Sequence, residues 1–382
     1  MTEPRARRRP ARDERSSAPV ESLNGGHQEL EERQEAAPPR LEFTPRNLLL
    51  LVGFLVASIA ALYYLLPQLA GLNDTWHRIE DGSPYWTFLG LVLTVGMFAG
   101  YVMMFRGVFV NVEGGARIGW DASYQITMAG LAASRIFAAG GAGGLVLTAW
   151  ALRRSGMRRR RVADTTLTFL ILTYMPYAAA VIVCGLGLRI GLFPGDAPFG
   201  LTVVPAVLAL IVTGVALAFA LVPTDLQRRL GGWARRRGRL ARLAQKAANA
   251  PASFSTGMRE AIALVRSRHD PALLGAFLFW AFQILVLWAA FRAFGDSPPA
   301  AVLVQAFFVG MLGNLLPMPG GVGGVEGGMI GSFVAFGVDG GLAVVAVLVY
   351  RAFTFWLPMI PGVIAYFQLR KTVERWSLSY TK

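Results

Sequence analysis

The stretch DASYQITMAGLAASRIFAAGGAGGLVLTAWAL, residues 121–152, carries Gly140-Gly141-Ala142-Gly143-Gly144 near its middle. Arg106 and Arg117 precede it, and Arg153, Arg154 and Arg158 to Arg161 follow it. Short loops rich in Arg and Lys stay on the cytoplasmic side of a membrane, so both flanks of this apolar stretch belong on one face. It must therefore enter and leave on the same side. Its 32 residues reach only about 48 Å as helix, against roughly 60 Å for two perpendicular crossings. The spacing predicts a re-entrant hairpin that turns back inside the bilayer. A glycine cluster lets the chain turn and lets backbones approach closely, and irregular backbone at membrane depth is tolerated where protein or a water-filled cavity covers it.

Working outward, apolar runs long enough for full spans of about 20 residues lie at 48–70, 85–105, 162–188, 199–222, 271–294 and 341–369. A second glycine-bearing stretch, 300–338, contains Gly320-Gly321-Val322-Gly323-Gly324. It sits 180 residues after the first, and the same offset pairs Gln125 with Gln305 and Gly130 with Gly310. Each half then reads span, span, hairpin, span. Three crossings per half are odd, so the second half is inverted: its hairpin opens outward, where the first opens inward. Interrupted segments in corresponding positions of two halves mark the binding site of inverted-repeat transporters. If 121–152 were one long span, the eleven Arg and Lys residues between Val222 and Pro271 would be exported, against the charge rule. The expectation is an all-α polytopic membrane protein with about six full spans, two re-entrant hairpins and both termini in the cytoplasm.

Composition agrees. The chain has 382 residues, 54% hydrophobic and 16% charged, too apolar for an ordinary soluble protein. Its net charge of +14 comes from Arg and Lys clustered between or outside the apolar runs. That distribution fits cytoplasmic loops facing anionic inner-leaflet lipid rather than a nucleic-acid surface. Only three of the 37 basic residues are Lys, which together with abundant Ala and Gly points to a GC-rich bacterial genome and a bacterial cytoplasmic membrane. Cys184 is the single cysteine and the chain has three His, so neither a disulfide framework nor a structural metal site is expected, and no cofactor.

Residues 1–44 read as a disordered cytoplasmic tail; positions 1–40 hold eight Arg and eight acidic residues with few large apolar side chains. Residues 45–371 form the transmembrane domain, with halves at about 45–190 and 199–371 and a cytoplasmic loop at 223–270. A second tail follows at 372–382. Within the loop, Leu226, Leu230, Trp233, Leu240 and Ala244 share one helical face with Arg on the other, the pattern of an interfacial helix.

Three ionisable residues fall near the expected midplane: Arg135 before the first glycine cluster, Glu326 after the second, and Arg351 within the last span. A charge there costs at least about 2.5 kcal/mol and needs a partner, a bundle interior or water. Glu326 is expected to pair with Arg135 or Arg351. Such a pair either holds the hairpins together or forms a polar site with one surplus positive charge, suited to an anionic headgroup. The glycine breaks likewise either offer helix N-termini to a phosphate or permit tight packing. No nucleophile elbow, HExxH zinc site or Walker loop occurs, so an enzyme is not expected. Glu80-Asp81 in the first outer loop is the one feature that would suit a membrane glycosyltransferase.

The run Leu316-Pro317-Met318-Pro319-Gly320-Gly321-Val322-Gly323-Gly324-Val325-Glu326 resembles the PxPGGxGxxE signature of the lysylphosphatidylglycerol synthase transmembrane-region family, the flippase-like domain. Tyr350-Arg351-Ala352-Phe353-Thr354-Phe355-Trp356-Leu357-Pro358, with Gly362, is similar to that family's closing span. The resemblance covers about 45–370 and implies the membrane half of the multiple peptide resistance factor, whose suggested task is moving aminoacylated phospholipid between leaflets. Its first hairpin departs from the pattern of many members, with Phe137 and Gly143-Gly144-Leu145-Val146 in place of a Pro and a Gly-Glu, and the aminoacyl-transferase domain of that factor is not expected in this chain.

Taken together, the expected substrate-binding set is Arg135, Gly140, Gly141, Asn314, Pro317, Pro319, Gly320, Gly321, Gly323, Glu326 and Arg351. The expected ligand is a membrane phospholipid or polyprenyl lipid, with self-association left open. The expected function is lipid translocation. A non-catalytic partner of an envelope-modifying enzyme, or a membrane-embedded glycosyl- or aminoacyl-transferase, stands as the alternative.

Overall fold

The computed structural model describes residues 82–111, 118–136, 142–221, 255–266, 271–316 and 321–379. The expected first span at 48–70, the tail 1–44 and the interfacial stretch 226–248 lie outside the described residues. All regular structure among the described residues is helical. In chain order the helices are α1 (Pro84–Phe109), α2 (Trp120–Ile136), α3 (Ala142–Arg154), α4 (Arg159–Arg189), α5 (Phe199–Leu221), α6 (255–266), α7 (Pro271–Phe294), α8 (Ala300–Met311), α9 (Gly324–Ala335), α10 (Gly340–Arg351) and α11 (Met359–Ser379). A 3-10 turn, Leu312–Leu315, follows α8, and a π turn, Ala352–Trp356, joins α10 towards α11.

Five helices are long and apolar enough to cross a membrane: α1, α4, α5, α7 and the combined 340–376 rod. They fall on the five spans expected within the described residues, although the last runs further than 341–369. The protein is an all-α polytopic membrane protein. Local chemistry sets several starts. Pro84 and Pro271 open α1 and α7, where proline's missing N–H costs no helical bond. Asp339 caps α10 by accepting from the Leu342 N–H at 2.9 Å. Helix α5 is apolar all round and exposes Leu208, Ile211, Val212 and Val215, as a helix facing lipid does.

The expected hairpins are present as paired short helices. In the first, α2 and α3 pack through Gly130 and Gly144; a methyl group on Gly130 would meet Thr148 Oγ1 at 3.1 Å. In the second, α8 and α9 pack so closely that a Cβ on Gly310 would lie 2.6 Å from the Met329 Cα. Helices of 17, 13, 12 and 12 residues are about 18–26 Å long at 1.5 Å per residue. Each is shorter than a hydrocarbon core of about 30 Å, which is why these elements pair with each other rather than stand as spans.

Corresponding spans of the two halves, α1 and α7, lie antiparallel along their whole length. Gly107 abuts Ala272, Gly100 abuts Gly275, and Gly90 faces Ala289; the Ser83 N–H donates to Ala293 O at 2.8 Å. Each hairpin docks on the closing span of the opposite half. From α2, Gln125 accepts from Thr372 at 2.9 Å and Ala132 meets Gly362, both on α11. From α8, Phe308 O accepts from Tyr177 on α4 at 2.6 Å, while Gln305 donates to Leu201 O at 2.8 Å. Of the sequence-related pair, Gln125 thus ties its hairpin to the other repeat, whereas Gln305 ties its hairpin to α5 of its own half, the link across halves there being Tyr177 with Phe308 O.

Candidate functional site

At the second glycine cluster the chain turns through Gly321 and Gly323, with φ of +67° and +83°. That conformation costs an L side chain roughly 1–2 kcal/mol. The turn delivers Glu326 to the first turn of α9, where the positive end of the helix dipole favours an acid. One carboxylate oxygen accepts from the Gly323 N–H at 2.7 Å. The other accepts from Arg351 Nε at 2.6 Å, and these side chains are 1% and 8% exposed. Neither charge could be buried alone without a penalty of several kcal/mol. Of the two expected partners of Glu326, the structure selects Arg351.

Arg135 reaches the same place from the other half. It lies in the last turn of α2, the helix end that favours a cation. Its guanidinium donates to Thr354 O at 2.7 Å and Phe355 O at 3.1 Å. Thr354 can accept because Pro358, four residues on, has no N–H to give it. The π turn adds a further departure from the regular ladder, with the Leu357 N–H bonded five residues back to Ala352 O at 2.9 Å. The Phe355 ring then links the two arginines: its centroid is 4.1 Å from Arg351 Cζ and 5.2 Å from Arg135 Cζ. Both distances fall within the reach of cation–π attraction. The result is a cluster of two guanidiniums and one carboxylate assembled from both hairpins and the closing span.

The remaining candidates divide. Gly321 and Gly323 shape the turn that feeds Glu326. Asn314 is exposed, and its side-chain oxygen lies against the Gly321 backbone, outside the charged cluster. Gly140, Gly141, Pro317, Pro319 and Gly320 lie outside the described residues. At the second break, the Gly323 N–H that a phosphate could have used is occupied by Glu326 itself. Gly130 and Gly144 in the first hairpin, and Gly310 and Gly328 in the second, permit close helix packing.

Sequence reasoning did not include Phe355, Thr354 or Pro358 in the site. A signal was available: a proline four residues after Thr354 leaves one carbonyl at membrane depth without its helical donor. Also missed was the buried pair behind the cluster, Tyr350 donating to Gln283 Oε1 at 2.8 Å. Among the described residues no group of three or more His, Cys, Asp or Glu could hold a metal.

Fold and cluster define a polytopic membrane protein built on two helical hairpins, each docked against the opposite half, with charged side chains meeting between them. The chain belongs to the family described as the lysylphosphatidylglycerol synthase TM region, whose profile matches residues 50–362. It is similar to proteins named UPF0104 membrane protein from Methanothermobacter thermautotrophicus. One is 34% identical over 117 residues, 29% of this chain and 35% of the relative. A second is 33% identical over 91 residues, 24% and 27% respectively. A third is 37% identical over 87 residues, 22% and 25%. The chain therefore spans about a quarter to a third of the length of these relatives.

Proposed function

We propose that this protein moves a phospholipid or polyprenyl-linked lipid with an anionic or aminoacylated headgroup across the bacterial cytoplasmic membrane. The observation that carries the reading is the convergence of Arg135 and Arg351, against the single carboxylate of Glu326, on Phe355 between the two hairpins. Buried charge at this depth is costly, and a net positive cluster at the meeting point of two opposed hairpins suits a headgroup crossing while its acyl chains stay in lipid. No catalytic step is assigned to the chain. The Arg-rich cytoplasmic segments favour contact with anionic inner-leaflet lipid.

A second reading has its own observation: the Glu326–Arg351 pair is almost completely buried, as an ion pair that only locks α9 to α10 would be. On that reading the protein is a non-catalytic membrane partner of an envelope-modifying enzyme. Native mass spectrometry of protein released from its own membrane separates the two. A translocator retains an anionic or aminoacylated lipid in the wild type and loses it in Arg351→Gln. A wild type that carries no such lipid and co-purifies with one stoichiometric protein supports the partner reading instead.

A further inference from the structure

Arg135 and Arg351 share one aromatic ring but are held by different chemistry. Arg351 is neutralised by Glu326 at 2.6 Å, and Glu326 is in turn fixed by the Gly323 N–H. Arg135 is half-buried and, among the described residues, bonded to two neutral carbonyls, those of Thr354 and Phe355. A phosphate oxygen competes well against a carbonyl for a guanidinium, because the bond gains a full opposite charge and can be bidentate. It competes poorly against a buried carboxylate already in place. The two arginines are therefore not equivalent, and only one is poised to exchange its partners.

We infer that Arg135 is the residue that binds the lipid phosphate, and that in doing so it releases the Thr354 and Phe355 carbonyls and undocks the C-terminal end of α2 from the closing span. Arg351 is a positioning residue that holds Phe355 and Glu326 in place. The rest of the interface fits a pivot. At its far end α2 stays tied to α11 through the Thr372–Gln125 hydrogen bond, and the contact of Ala132 with Gly362 is apolar packing. Arg135 lies in the last turn of α2, at the other end, so losing its two bonds frees that end first. The identity of the ligand as a lipid rests on the translocation reading; the exchange itself does not require net transport.

The test uses the full chain in a Cys184→Ala background, with spin labels at Val146→Cys on α3 and Ile364→Cys on α11, both exposed positions. Electron–electron distances are compared in nanodiscs of phosphatidylglycerol and of an uncharged galactosyl diacylglycerol. The expected result is a shift to longer distances in phosphatidylglycerol, lost in Arg135→Gln and retained in Arg135→Lys, which keeps a charge able to bind phosphate. In vesicles, Arg135→Gln is expected to slow phospholipid movement about tenfold or more, the effect of losing a hydrogen bond to a charged group. Identical distances for the unsubstituted Arg135 protein in both lipids would overturn the inference, as would the same lipid-dependent shift in Arg135→Gln; the first comparison needs no variant at Arg135 to fold. A shift without movement of any lipid keeps the exchange and removes transport. Phospholipid movement at an equal rate in Arg135→Gln does the reverse.

Discussion

At the scale of single residues, Glu326 and Arg351 illustrate why a buried pair is sensitive to the loss of one member and tolerant of the loss of both. Glu326→Gln leaves Arg351 charged at a site where it is 8% exposed, a cost on the order of 3 kcal/mol. Its thermal midpoint in detergent is expected to fall well below that of the wild type. The double variant Glu326→Gln with Arg351→Met is expected to regain most of that loss and to remain inactive; a double variant no more stable than Glu326→Gln would show that the pair is not the source of the cost. That Glu326 would be paired was legible in the sequence, because a lone acid at membrane depth needs a cation. Which cation was not legible: choosing between Arg135 and Arg351 depends on where the π turn and Pro358 place two carbonyls, and no sequence period reports that.

At the scale of elements, the closing span is two helices joined by an irregular turn, and that turn makes the acceptors for Arg135. Pro358→Ala supplies an N–H to Thr354 O and relieves the helix penalty of proline, about 3 kcal/mol in an ideal helix interior. The expected outcome is a thermal midpoint at or above that of the wild type together with slower lipid movement. A lower midpoint with unchanged movement would count against the carbonyls having any role. In the second hairpin, position decides the sign of a substitution. Gly331 has nothing within 4 Å of a new Cβ, whereas Gly310 would place one 2.6 Å from Met329 Cα. Gly331→Ala is therefore expected to stabilise by up to about 1 kcal/mol and Gly310→Ala to destabilise, as read by denaturation midpoints. The hairpins were legible from arginine placement and length. The packing role of Gly130 and Gly310 was visible only as a repeat, since a glycine that turns a chain and one that admits a neighbour look alike in sequence.

At the scale of the whole molecule, the antiparallel pairing of α1 with α7 and the exchange of hairpins between halves support the inverted arrangement that the charge pattern predicts. Single cysteines at Ser83, Ser297 and Ser155, in a Cys184→Ala background, are expected to label from outside, outside and inside; external labelling at Ser155 would contradict the topology. The repeat identity is low, six of 20 residues between 125–144 and 305–324, because lipid-facing positions need only be apolar and drift freely, while Gln125, Gln305 and the packing glycines carry specific contacts. Function tests the account most directly. In liposomes holding the purified protein, headgroup-labelled bacterial phospholipids and polyprenyl phosphates are followed by their accessibility to an external quencher, with and without an imposed ion gradient. The account predicts that at least one becomes accessible faster than in protein-free liposomes and that Arg351→Gln slows it. Equal rates with and without protein, across the whole panel and under both conditions, would contradict it.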